Sequence, residues 1–216
     1  MQGCFSGEFM IIDVIQVKYA DSYLSESAIF EGGIKGKMCP IVFSFYAIKT
    51  ENKIILVDAG CDSMGGFVMN NFLLPDESLR NKGIAPENIT DIIITHADHD
   101  HIDGVHHFKN AVVHIQEDEY LRGQKYIPSD MTVKTFDDAT ILYDCIKVVK
   151  IGGHQKGSCV VEFSFNGEDC VIVGDECYSR YNILNKLPTA SSYNKENSER
   201  FIKKYANGKQ RIYLLH

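Results

Sequence analysis

The run DIIITHADHDHIDG (residues 91–104) changes character at its midpoint. An apolar, β-branched stretch gives way to three His and three Asp within residues 96–104. DIIIT reads as a short strand, so the His/Asp run sits at a strand's C-terminal end and leads towards a helix. On extended backbone His96 and Asp98, two apart, point to the same side. Asp100 and His101 follow where the chain turns towards the helix, whose N-terminus suits an Asp. Carboxylates packed this densely, with no Lys or Arg in the run, repel one another unless a cation lies between them. A solvated acidic loop or a helix cap is the bland alternative, but a cap needs one Asp rather than this set. Strand ends are where α/β folds place their chemistry, so the run reads as metal-binding.

Composition bounds the rest. The chain has 216 residues, 44% hydrophobic and 24% charged, which suits one globular domain spanning 1–216. A net charge of −7 argues against nucleic acid or an anionic membrane as partner. Seven cysteines, with no CxxC pair, lie mostly in apolar runs such as DCIKVV and EDCVIV, which points to buried thiols in a reducing cytoplasm. The opening MQGCFSGEFMIIDVIQ has no basic region, and Glu8 and Asp13 interrupt it, so it is no signal peptide. No apolar run approaches the ~20 residues that a membrane span needs.

Along the chain, β-rich runs at 9–17, 42–48, 53–58, 91–95, 111–115, 146–151, 159–165, 169–174 and 211–215 read as strands, with Asn166-Gly167 as a hairpin turn. Helices are expected at 76–82, 103–109, 116–122 and 195–206. Three further donors follow strands: His154 in IGGHQKGS, Asp175 in VIVGDECY and His216 in RIYLLH. Each alone is weak evidence. Together with the first run they describe one site.

With these residues in view, the sequence resembles the metallo-β-lactamase-fold hydrolases, and within them the N-acyl homoserine lactonase-like branch. The matching stretches are PIVFSFYAIKTENKIILVDAG (40–60), GIAPENITDIIITHADHDHIDG (83–104), GGHQKGSCVV (152–161), GDECY (174–178) and YLLH (213–216). The resemblance implies an α/β fold, an αβ/βα four-layer sandwich of two mixed β-sheets, with two divalent metal ions at one edge. The family signature, His-x-His-x-Asp-His followed by His, Asp and His, falls on His96, Asp98, Asp100, His101, His154, Asp175 and His216 as metal ligands. Asp58 in ILVDAG falls on a family Asp that orients a ligating His.

One position departs from the signature: its second His is Asp98 here. His99 next door offers an alternative register, but Asp100-His101 followed by Gly104 preserves the family's Asp-His-x-x-Gly, which leaves His99 a non-ligand. A third carboxylate cancels the formal positive charge that two carboxylates and a hydroxide would leave on two divalent ions. Its water should therefore ionise at higher pH. The oxygen-rich set should also shift preference from zinc towards iron or manganese. The flavodiiron proteins, with His-x-Glu-x-Asp-His, resemble the chain in that feature only.

The implied reaction is hydrolysis of an ester, lactone or related acyl bond of a small-molecule substrate by a metal-activated hydroxide, with Asp100 or Asp175 handling the proton. Tyr178, three residues after Asp175, matches a lactonase tyrosine that contacts the substrate carbonyl and would stabilise an oxyanion. Its alternative is an aromatic at a sandwich edge, and Cys177 beside it reads as packed rather than reactive. The apolar segments 65–75 and 179–193 are expected as loops lining the substrate pocket. His106, His107 and His114 fit no ligand position. A di-iron protein that binds oxygen without hydrolysis, or a metal-bound sensor, are the other readings.

Overall fold

The computed structural model describes residues 9–216; Cys4, and the first half of the stretch read as no signal peptide, lie outside the described residues. In chain order the elements are β1 (Ile11–Ser25), α1 (Glu26–Ile29), β2 (Met38–Thr50), β3 (Ile54–Val57), α2 (Pro75–Arg80), β4 (Asp91–Ile94), α3 (His99–Ile102), β5 (Val112–Gln116), α4 (Glu117–Gly123), β6 (Val133–Phe136), β7 (Ala139–Leu142), β8 (Ile146–Lys150), β9 (Cys159–Phe165), β10 (Glu168–Ile172), α5 (Arg180–Asn185), α6 (Lys195–Tyr205) and β11 (Arg211–Tyr213).

Two sheets result, ordered β1-β2-β3-β4-β5-β6 and β11-β10-β9-β8-β7. Both are mixed: β3 to β6 run parallel after an antiparallel start, and β10 and β11 are the parallel pair of the second sheet. The side-chain alternation of strands builds the layers. Ile93 of β4 joins Ile48, Val57, Val148, Val161 and Ile172 between the sheets, whereas its neighbours Ile92 and Ile94 face outwards onto Leu79, Ile102, Val105 and Phe108. On the far side Val160 and Val171 meet Phe201, Ile202 and Tyr205 of α6. Buried positions 198, 201, 202 and 205 recur at helical spacing, which gives α6 its single apolar stripe. The order is helix, sheet, sheet, helix, as the resemblance implies.

Asn166 and Gly167, with φ of 53° and 79°, make the β9–β10 turn. Two edge strands, β6 and β7, carry mostly exposed or half-exposed residues, so neither shows an apolar run. β1 extends to Ser25, eight residues beyond the expected end, because its polar half pairs with β2. The stretch from 180 to 185, expected within a loop, is the short helix α5. Among the described residues no helix is long and apolar enough to cross a membrane.

Candidate metal centre

Four chain segments converge where strands end. His96 follows β4, with Asp100 and His101 on α3 just beyond it. His154 comes from the loop after β8, Asp175 from a 3-10 turn after β10, and His216 after β11. The local chain is tightly held: Ala59 N–H donates to His101 O at 2.8 Å and Gly104 N–H to Gly60 O at 2.8 Å. A Cβ at position 104 would stand 2.2 Å from Ala59 O, so only glycine allows α3 to sit this close to the end of β3. That contact explains the Gly of the Asp-His-x-x-Gly run.

The seven expected residues meet around Asp175. Its Oδ1 lies 3.2 Å from His101 Nε2 and 3.0 Å from His216 Nε2; its Oδ2 lies 3.7 Å from both His96 Nε2 and His154 Nε2. Asp98 Oδ2 closes one half, 3.5 Å from His96 Nε2 and 3.1 Å from His154 Nε2. Asp100 Oδ2 closes the other, 3.5 Å from His101 Nε2 and 3.9 Å from His216 Nε2. His99 is elsewhere, its Nε2 2.7 Å from Ser63 O.

Each of the four imidazoles is oriented from behind. His101 Nδ1 donates to Asp58 Oδ2 (2.8 Å), His154 Nδ1 to Ser191 O (2.7 Å) and His216 Nδ1 to Val42 O (3.1 Å). Thr95 Oγ1 gives its own proton to Asp58 Oδ2, so it must accept from His96 Nδ1 at 3.0 Å. With every Nδ1 committed as a donor, the neutral rings all aim an Nε2 lone pair inwards. The Nε2 atoms of His96 and His101 are buried and have no hydrogen-bond partner. Orphaned ring nitrogens facing carboxylates fit a bound cation, since a buried polar atom without a partner is costly.

Electrostatics agree. Burial opposes charge on His154, yet its hydrogen bond with Asp98 and the charges of Asp175 and Asp98 lift it to about 9. His101 and His216 are likewise raised, against burial, chiefly by Asp175. Burial would raise Asp98 and Asp175. Instead the His154, His96 and Arg122 contacts hold Asp98 well below the usual carboxylate range, and His101, His216 and His96 do the same for Asp175.

Further supports stand behind the donors, and all but Asp58 have no signal in the sequence. Asp58, the expected one, is buried at φ 64°, a left-handed conformation that costs energy off glycine, and it also accepts Thr95 N–H at 2.7 Å. Glu119, fully buried on α4, accepts Ala97 N–H and Gly157 N–H. Glu176, also fully buried, accepts Gly153 N–H and His154 N–H at 3.1 Å each and takes a short bond from Ser158. A Cβ at position 153 would stand 2.2 Å from Glu176 Oε2, so the glycine before His154 makes room for this brace. Arg122 and Gln155 both contact Asp98.

Tyr178 reaches the centre: its hydroxyl donates to Asp175 Oδ2 at 2.6 Å and its ring stacks on His216 at 5.1 Å. Beside it a pocket of about 550 Å³ is lined by Ile29, Phe30, Ile41 and Tyr181 and opens onto Tyr178 and His216. Of the segment 179–193, expected to line the substrate pocket, only residues 179–181 line this one. Segment 65–75 does not: Phe67 and Phe72 pack instead on the aromatic core around Phe43 and Tyr19. Cys177 is a packed thiol, pushed up to about 12 by burial.

The remaining histidines lie apart. His114 is buried and bonded to Asp91 at 2.9 Å. His106 and His107 meet Asp62 at a half-exposed surface.

The profile of the metallo-beta-lactamase superfamily matches residues 44–215. Among solved structures, an N-acyl homoserine lactone hydrolase with the product N-hexanoyl-L-homoserine bound at its catalytic metal centre superposes with a TM-score of 0.80 at 17% identity, covering 95% of this chain and 93% of that one. AidC, a dizinc quorum-quenching lactonase, gives 0.74 at 20% identity, covering 97% and 90%. A probable metal-dependent hydrolase from Staphylococcus aureus gives 0.74 at 18%, covering 91% and 85%. No curated protein matches the chain.

Proposed function

The chain belongs to the metallo-beta-lactamase superfamily, and on that premise we propose that it is a dinuclear metal-dependent hydrolase of an ester, lactone or related acyl bond in a small molecule. The observation that carries the reading is the convergence of four inward Nε2 atoms and three carboxylates, with His96 and His101 Nε2 left without partners. His96, Asp98 and His154 would hold one ion, Asp100, His101 and His216 the other, and Asp175 would turn one oxygen to each. Ions in those places supply Lewis acidity towards a carbonyl oxygen and acidify water at neutral pH.

The chain's own residues supply the rest. Asp58, Thr95, Ser191 O and Val42 O keep the four rings in the tautomer that presents Nε2. Asp100, 9% exposed at its side chain, lies where it can take a proton during acyl transfer. Tyr178 Oη, freed from Asp175 when that carboxylate is otherwise engaged, is the donor for a developing oxyanion. The pocket walls of Ile29, Phe30, Ile41 and Tyr181 receive an apolar acyl group and exclude water.

Two lactonase neighbours, solved with product, support an acyl substrate. The test is hydrolysis of an acyl lactone and an aryl ester by protein loaded with zinc or manganese, against chelator-stripped protein. Turnover restored by metal and lost in Asp175→Ala is expected. A loaded protein that turns over neither compound overturns the reading.

A further inference from the structure

Asp98 does not stand alone. Arg122, on α4, places Nη2 at 2.6 Å from Asp98 Oδ1 and Nη1 at 2.6 Å from Glu119 Oε2. Gln155 Nε2 lies 3.1 Å and 3.0 Å from the two Asp98 oxygens. The aspartate is therefore sided: Oδ1 faces the guanidinium, while Oδ2 faces His96 Nε2 and His154 Nε2. An exposed ion pair by itself counts for little. This one is built differently, because Glu119 is fully buried and also fixes Ala97 N–H, one residue before Asp98. Arg122 thus spans two carboxylates with its planar fork, a geometry that lysine cannot copy.

We infer that Arg122 is the positioning residue that makes an aspartate serviceable at position 98, occupying one carboxylate oxygen so that the other turns to His96 and His154, and offsetting part of the charge that the extra carboxylate adds. Because the guanidinium is shared with Glu119 it offsets the charge of Asp98 only in part, but it leaves Asp98 one free oxygen, a single donor as an imidazole would be. The inference rests on the proposed reading of Asp98 as a metal ligand.

The pairing is testable as a double-mutant cycle on the full chain, stripped and titrated with Zn²⁺ and separately with Mn²⁺ against a chromophoric chelator. In Asp98→His, the guanidinium is left beside an uncharged ring and the ions, so zinc affinity should fall. Adding Arg122→Met to that variant should restore it. The effect of Arg122→Met should therefore differ between the two backgrounds by roughly tenfold or more, as expected for groups in direct contact. Arg122→Lys, which keeps the charge, should stay nearer the starting chain in zinc affinity than Arg122→Met does. Unfolding of each stripped variant by circular dichroism identifies any that fail to fold, in which case the Lys variant carries the cycle.

Equal effects of Arg122→Met in both backgrounds would overturn the inference while leaving the centre intact. A starting chain that binds neither ion would overturn the proposed centre, and this inference with it.

Discussion

The two halves of the donor cluster are built on opposite plans. Asp100, His101 and His216 are enclosed, their side chains 9%, 1% and 3% exposed, and His101 is held from behind by the buried carboxylate of Asp58. His96 and His154 are equally buried, but Asp98 is 28% exposed and is steered by Arg122, itself 40% exposed. One half is fixed by packing and backbone, the other by a charge partner reaching in from a neighbouring helix. The enclosed half should therefore be intolerant of change, and the open half adjustable. Asp175 belongs to both.

The largest effect should come from Asp175→Ala, which strips a carboxylate from each half and leaves the histidines to repel one another. Both ions should be lost on metal analysis. Hydrolysis should fall further than the roughly 10–100-fold that loss of a ligand's supporting hydrogen bond brings. Retention of two ions would break the division into halves at its hinge.

Next comes Asp58→Asn. The amide can adopt the left-handed backbone, but it cannot accept from Thr95 N–H, Thr95 Oγ1 and His101 Nδ1 together. Metal affinity should drop roughly 10–100-fold, with the loss falling mainly on the enclosed half. Equal loss from both halves in a stepwise titration would show that they are not separate.

Removing metal altogether should give a pH signature. In the stripped protein His154 is raised to about 9, so its charged form favours folding. That contribution is full below the unfolded value of roughly 6.5 and is lost as pH rises through about 9. Metal binding needs neutral imidazoles and strengthens over the same range. The difference in Tm between loaded and stripped protein should widen from pH 6.5 to 9. Parallel curves would contradict the geometry around Asp98 and Asp175.

The smallest effect on the centre should follow His114→Ala. His114 fits no ligand position, but it is buried and bonded to Asp91. Its loss should cost about 1–3 kcal/mol of stability by leaving a buried acceptor short of a partner, with metal content unchanged. Denaturant unfolding and metal analysis together separate the two.

How much of this could be read in advance follows from range. The strands that form the centres of the sheets announce themselves as apolar runs, and the donors lie at their ends, so the layers and the gathering of seven side chains were legible. Gly104 has a steric reason to be glycine, which gives the Asp-His-x-x-Gly reading a physical basis. Edge strands β6 and β7, with one face or more in solvent, carry no such run. Arg122 lies 24 residues from Asp98 and Glu176 lies 22 from His154. Those contacts exist only once α4 and the second sheet have packed, and no local spacing encodes them. A charge sum over the carboxylates Asp98, Asp100 and Asp175 leaves out Arg122, which touches Asp98, for that reason.

Diffraction from crystals of the full chain grown with zinc, with anomalous signal to locate the ions, shows directly whether the seven donors hold two metals. Two peaks are expected, with His96, Asp98, Asp100, His101, His154, Asp175 and His216 all within about 2.0–2.2 Å of one or the other. Asp175 should reach both, and Asp98 should reach its ion through Oδ2 while Oδ1 stays on Arg122. One peak only, or a peak coordinated by His99 with Asp98 turned wholly to Arg122, would contradict this arrangement.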